Sequence, residues 1–403
     1  MVLVVSRGMA LAGFFLLAFA VNASDFQQYA LYFAVWQLGS QLLSLQLGTT
    51  FFRCGLRSVF TKNLHSVLSS FYPIIFFAFL IFVIAASFSH IMTSGFFMSL
   101  IVAIFIVVAD YARASINERI VFIAYMLPGL LYLTLFFFSK YLYGELTLLV
   151  LLYSESTIYV LITIYLLIKC DVKFSVTFVK LKASLKKIRP FWYKISLPLI
   201  PNNLLWYFYF NAPVIIGYKA ISDVEEYNEM ALFFRFIVAI STASSTLALV
   251  FQKKIISIYE NDKARYLRIK SWFISRFIPF FLIVCLAGYF LMDFLWTLFY
   301  PALGCEICNV VISKKGMLLY LFYIFLNIYL MSHYFVAEKD LSVISPSMVV
   351  GFIAYTITLV AGLKLGINFG ITSVYSLCIS LTVTFIIRYL WLTKQRKLKN
   401  ENI

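Results

Sequence analysis

Two charges stand where the sequence is otherwise apolar. Arg235 lies about seven residues inside the run 228–250, roughly 10 Å along at ~1.5 Å per residue. Glu155, in Tyr153-Ser-Glu-Ser-Thr157, lies about ten residues inside the run 145–168, nearest a bilayer midplane. A charge at that depth costs several kcal/mol unless it faces protein or water, so each marks a candidate site. A guanidinium stays ionised and presents a planar fork of donors, which suits phosphate. A buried carboxylate suits a proton or a cation, or pairs with one of the arginines. Arg235 also belongs to a polar stripe with Asn228, Thr242 and Thr246.

Other polar residues sit at helical spacing. Asn203, Tyr207 and Asn211 recur at i, i+4, i+8, one face of the run 195–217. Arg7, Arg53, Arg276 and Arg388 lie within two turns of a helix end, where long side chains also reach headgroups. The substrate-binding candidates are therefore Arg235, Arg7, Arg53, Arg276, Gln37, Gln41, Thr242, Asn203, Tyr207 and Asn211. Glu155 and Asp110 are the ion-coupling candidates, and Asp293 is a weaker acid near a span end. Trp36, Trp206 and Tyr207 could stack on sugar rings, although aromatic residues also collect at membrane interfaces.

The elements that must hold these residues come in pairs. Ser24-Asp-Phe-Gln-Gln-Tyr29 and Ser222-Asp-Val-Glu-Glu-Tyr227 share a Ser-Asp-x-x-x-Tyr frame, about half a chain apart. Behind them Gln37, Gln41, Ser44 and Gly48 fall opposite Arg235, Ala239, Thr242 and Thr246. Both stripes follow i, i+4, i+7, i+11, so an internal repeat is expected.

Composition sets the class. The 403 residues are 63% hydrophobic and 12% charged, against about half and a quarter in soluble domains. The excess falls in runs of about 20 residues, enough to cross a bilayer. An all-α polytopic membrane protein is expected, with about 12 transmembrane helices in two six-helix lobes around a pseudo-twofold axis along the membrane normal. The spans are 3–21, 29–52, 66–89, 95–112, 120–138, 145–168, 195–217, 228–250, 273–293, 316–336, 346–363 and 371–391. The lobes occupy 1–168 and 195–393, with a basic amphipathic linker at 169–194 and a basic tail at 394–403. The first run resembles a signal peptide, but Arg7 lies within it and the repeat pairs it with 197–218, so a retained helix is expected.

Most of the 33 Lys and Arg fall on one set of alternate loops, including 169–194 and 251–272. The other set carries only Lys140, Lys219, Lys314, Lys315 and Lys364. That bias puts both termini in the cytoplasm and accounts for the +16 net charge without nucleic acid. The linker is expected on the anionic inner leaflet. Cys54, Cys170, Cys285 and Cys378 read as packing residues, and the lone Cys305-Glu-Ile-Cys308 pair is weak evidence for zinc. No metal or other cofactor is expected. Pro198, Pro201 and Pro213 crowd one run and should kink it.

Four stretches resemble the polysaccharide transporters of the multidrug/oligosaccharidyl-lipid/polysaccharide exporter superfamily, within it the lipid-linked O-antigen repeat-unit flippases. They are Val21–Tyr29 with the helix ending Leu47-Gly-Thr-Thr-Phe-Phe-Arg53, Leu197-Pro-Leu-Ile-Pro-Asn-Asn203, the Ser222–Tyr227 turn, and Leu365-Gly-Ile-Asn-Phe-Gly-Ile-Thr372. Family members often carry a charge around Asn211-Ala-Pro213, and this chain has none there. The resemblance implies flipping of an undecaprenyl-pyrophosphate-linked oligosaccharide across the bacterial inner membrane, cytoplasmic to periplasmic leaflet. It implies cleft arginines on the pyrophosphate, and turnover driven by a proton or sodium gradient or the membrane potential. The polymerase and chain-length regulator of O-antigen (lipopolysaccharide) biosynthesis are the partners it suggests.

Two other classes compete. A membrane enzyme, such as an O-antigen polymerase or ligase, would carry a large external loop, and the longest here is about 294–315. The chain also has no Asp-x-Asp, no His cluster and no nucleophile-triad spacing, so a transporter is expected and not an enzyme. A drug exporter of the same superfamily fits the fold but makes less use of arginine.

Overall fold

The computed structural model describes residues 21–44, 47–48, 90–115, 118–138, 147–170, 186, 189–190, 192–193, 197–303, 315–338 and 342–400. The expected first and third spans, Arg7, Arg53, Cys54, Cys305, Cys308 and most of the 169–194 linker lie outside them. Every regular element among the described residues is helical. Six stretches there are long and apolar enough to cross a membrane: Thr93–Ala112, Leu148–Lys169, Lys263–Leu291, Lys315–Glu338, Ile344–Lys364 and Phe369–Lys394. Contacts group the chain into two compact units, Met1–Asn228 and Glu229–Ile403.

The first unit holds α1 (Ala23–Ser44), α2 (His90–Ser115), α3 (Glu118–Phe138), α4 (Leu148–Lys169) and α5 (Ile200–Ala220). Helix α1 lies along α2 because small residues let the two backbones approach. A Cβ on Gly39 would collide with the Ser99 hydroxyl, and one on Gly95 would stand 3.0 Å from Val35. Ser99 Oγ donates to the Gly95 carbonyl at 2.8 Å and reaches the Val35 carbonyl of α1 at 3.4 Å. Helix α5 packs on α1 within this unit.

Of the three prolines expected to bend α5, only Pro213 lies beyond its first turn. Pro198 occupies a 3-10 turn and Pro201 the first turn of the helix, where a missing N–H costs nothing. Pro213 withholds a donor from the preceding turn.

The two Ser-Asp turns cap differently. Asp223 Oδ1 accepts from Glu225 N at 3.0 Å and so starts α6 (Val224–Asn261). At the first turn Asn22 Oδ1 takes that part for α1, accepting from Asp25 N at 2.8 Å. Asp25 Oδ2 instead accepts from Leu148 N at 3.2 Å, at the start of α4. Thr147, the N-cap residue of α4, gives it no side-chain bond.

The second unit holds the rest of α6, then α7 (Lys263–Trp272), a π turn (Phe273–Phe277), α8 (Ile278–Leu303), α9 (Lys315–Glu338), α10 (Ile344–Lys364) and α11 (Phe369–Asn400). The segment 251–272, expected as a basic loop, is helix on both sides of Asp262. Asp262 caps α7 by accepting from Arg265 N at 2.8 Å. The 38 residues of α6 span about 57 Å, well beyond the ~30 Å of a hydrocarbon core. Its cationic end is therefore helix and not loop.

The stretch 365–372 is a helix stop and start. Gly366 has φ +74 and passes the chain out of α10, with Ile367 N bonded back to the Gly362 carbonyl at 3.1 Å. Asn368 Oδ1 then caps α11 through Gly370 N at 2.8 Å. Thr372 packs against Gly362, where a Cβ would collide with its methyl.

Two cations corrected the sequence reading. Arg388, expected to reach headgroups, is wholly buried. Its Nε donates to Ser347 Oγ at 2.9 Å, Nη1 to Ser332 Oγ at 2.7 Å and Nη2 to the Ile344 carbonyl at 3.0 Å, joining α9, α10 and α11. Lys270, counted with the loop cations, is buried on α7 and pairs with Glu338 of α9 at 2.8 Å. The Tyr266 hydroxyl donates to the same carboxylate oxygen at 3.1 Å. Cys170 and Cys285 are buried free thiols, as packing residues should be. Burial pushes the Cys170 thiol, just past the end of α4, up to about 12.

Removing one member of a buried pair strands the other. Glu338→Leu should cost about 3–5 kcal/mol, read as a fall in the thermal unfolding midpoint of the purified protein. Adding Lys270→Met should restore most of that loss. Equal midpoints for the single and the double variant would remove the pair from the fold's energetics.

Candidate functional site

The first unit surrounds one acid with phenols. Glu155 on α4 is fully buried, and the Tyr132 hydroxyl of α3 donates to its Oε1. The hydroxyls of Tyr32 on α1 and Tyr159 on α4 lie within electrostatic reach of the same carboxylate. Tyr29 and Trp36 of α1 complete the lining, with the Trp36 ring 6.1 Å from Tyr159. The local reason is helical register. Tyr29, Tyr32 and Trp36 follow i, i+3, i+7 on α1, and Glu155 and Tyr159 follow i, i+4 on α4. Phenols donate hydrogen bonds without neutralising the acid, so a proton or a cation is what this nest can take up.

Next to it α1 carries two unmet polar atoms. Trp36 Nε1 and Gln37 Oε1 are buried, and no partner serves either among the described residues. A buried donor and acceptor of this kind are where water or a ligand bonds. Gln41 is half-buried one turn on, and its carbonyl accepts from Ser44 Oγ at 3.0 Å. Asp110 is half-buried on α2 against Gly48, where a Cβ would stand 3.2 Å from its carboxyl carbon.

Along α5 the expected stripe divides. Asn203 and Tyr207 are half-buried, and Asn203 Oδ1 accepts from Asn202 at 2.8 Å. Asn211 is fully buried and donates to the Tyr207 carbonyl at 2.8 Å.

In the second unit Arg235 is three turns inside α6 and only 2% exposed. Two turns on, Thr242 is half-buried and Ser241 Oγ shares a hydrogen bond with the Tyr329 hydroxyl of α9 at 2.8 Å. Ser244 is buried on the same helix. Arg276 lies in the π turn and is exposed. Among the described residues no group of His, Cys, Asp and Glu could hold a metal.

Sequence reasoning singled out the acid but not its tyrosines: Tyr32 and Tyr132 come from α1 and α3, and only Tyr159, at i+4 on α4, was within reach of local spacing. It also missed the buried sets around Arg388 and Lys270. The one signal available was an uncompensated cation inside each helical run.

No protein-family model matches the chain, and no curated protein matches it by sequence. Solved structures do match. An inward-facing multidrug-resistance MATE transporter of the MOP superfamily aligns at TM-score 0.69 and 13% identity, over 99% of this chain and 96% of that one. The chain has the fold of the MOP superfamily transporters. A MATE protein in complex with MaL6 aligns at TM-score 0.60 and 14% identity, covering 100% and 95%. A MOP superfamily transporter from Pyrococcus furiosus, described by a binding pocket of reverse polarity and a different function, aligns at 0.57 and 12%, covering 98% and 94%. At these identities the likeness is one of fold. It bears out the all-α fold, in which six of the described stretches are long and apolar enough to cross a membrane.

A hydrogen bond to a charged group is worth about 1.5–3 kcal/mol. Tyr132→Phe, which keeps the ring and removes the donor, should therefore lower stability by that amount in thermal unfolding. The same change in a Glu155→Gln background should cost less. Equal losses in the two backgrounds would mean that the phenol does not act on the acid.

Proposed function

We propose that this chain is a transporter of the bacterial inner membrane. It flips undecaprenyl-pyrophosphate-linked O-antigen repeat units from the cytoplasmic to the periplasmic leaflet by alternating access. The observation that carries the reading is Arg235: a guanidinium buried three turns inside an apolar helix, in a fold shared with transporters. Such a group suits a diphosphate. The half-buried polar side chains of α1 and α5 (Gln37, Gln41, Asn203 and Tyr207) suit the hydroxyls of a glycan. Glu155 in its tyrosine nest is the coupling group, answering to a proton or sodium gradient. The four stretches that resemble the flippase family fit a transporter of this fold.

A second reading is export of cationic drugs. It is favoured by the multidrug-resistance neighbours and by an acid walled with aromatic rings, which suits organic cations.

Deletion of the gene separates the readings. A flippase defect leaves single lipid-linked units on the cytoplasmic side and no surface glycan. A polymerase defect leaves surface glycan of one unit, and loss of a drug exporter changes drug susceptibility with glycan intact. Arg235→Ala should abolish glycan display in a protein that still inserts, and full display would end the proposal for that residue. Glu155→Gln should change the response of transport to imposed ion gradients; an unaltered response would take the acid out of the coupling step.

A further inference from the structure

Helix α7 divides its polar residues between two faces. Tyr266 and Lys270 turn to Glu338 of α9, and Phe273 lies 5.1 Å from the Tyr334 ring. Arg268, Trp272 and Arg276 lie on the other face and are all exposed. Among the described residues none takes a hydrogen bond or an ion pair from Arg268 or Arg276.

The three residues are spaced i, i+4, i+8. Over eight residues of uniform α-helix that spacing drifts by about 80°. The π turn Phe273–Phe277 is wider and rotates less per residue, so Arg276 returns toward the line of Arg268 and Trp272. Such turns concentrate at functional positions. The two guanidinium groups start about 12 Å apart along the axis, within the combined reach of two arginine side chains.

Beyond Arg276 the same face becomes bare hydrocarbon. Phe280 is 62% exposed, Ile283 63% and Phe290 72%, while Trp272 is 50% exposed. Cation, indole, cation and then apolar surface is the order of materials from headgroup to acyl chain in one leaflet.

We propose that this face binds an anionic phospholipid. The headgroup phosphate sits between Arg268 and Arg276 at the level of Trp272, and the acyl chains run along Phe280, Ile283 and Phe290. Paired guanidinium groups favour a headgroup with net negative charge over a zwitterionic one. Arg276 thereby serves lipid and not cargo. The site rests on the membrane character of the chain and is independent of the transport reading.

The test uses the full chain in phosphatidylcholine vesicles containing a small fraction of acyl-brominated lipid, either phosphatidylglycerol or phosphatidylcholine. The chain has six Trp, so the Trp272 signal is taken as the difference from Trp272→Phe. Brominated phosphatidylglycerol should quench Trp272 at roughly tenfold lower content than brominated phosphatidylcholine, as two interfacial cations require. Arg268→Gln with Arg276→Gln should abolish the difference, and the paired Lys variants should keep it. Equal quenching by the two lipids, or a preference that survives the Gln pair, overturns the site. Quenching by aqueous iodide and by neither lipid also overturns it, because Trp272 would then face a hydrated path.

Discussion

Taking a charge out of water costs more than any single contact returns, and the described helices are arranged to meet that cost locally. Arg388 does so with two hydroxyls and a carbonyl from two neighbouring helices. Lys270 does so with Glu338, which also takes the Tyr266 hydroxyl. Glu155 does so with the Tyr132 phenol. Each solution joins elements far apart in sequence, so the polar interior fixes the helix packing that apolar contacts leave permissive. Small residues supply the other half. Gly39 on Ser99 and Gly351 on Ser380 and Thr384 bring backbones close enough for short side chains to bond across.

Helix existence was legible from apolar run length, and so was the acid at position 155, because a lone carboxylate in such a run stands out. Helix ends were less legible. The segment 251–272 reads as a loop because it is rich in Lys and Arg, yet α6 and α7 continue through it apart from Asp262. A charge in sequence does not say which face it takes. Lys270 and Arg268 are two residues apart, and one is buried while the other is exposed. Arg388 misled for the same reason, since its serines come from α9 and α10. Tyr32 and Tyr132 were invisible because no local spacing connects residues 32, 132 and 155.

The Gly366 turn shows a motif whose meaning the structure supplies. Read as a family signature, 365–372 has no evident chemistry. In the structure it is a left-handed stop, an asparagine cap and a threonine fitted to a glycine. The same holds for Leu197–Asn203, where two prolines begin a helix without bending it. Shared stretches of this kind report a shared fold.

The Ser-Asp turns look like copies, but one aspartate has changed its employer. At residue 223 it serves its own helix, while at residue 25 it serves α4, more than a hundred positions downstream. Asn22 makes that transfer affordable by filling the vacated post. The hexapeptides are consequently not spare parts for one another. A chain with the second turn grafted in place of the first would need an asparagine before it, or α4 would begin with a bare amide.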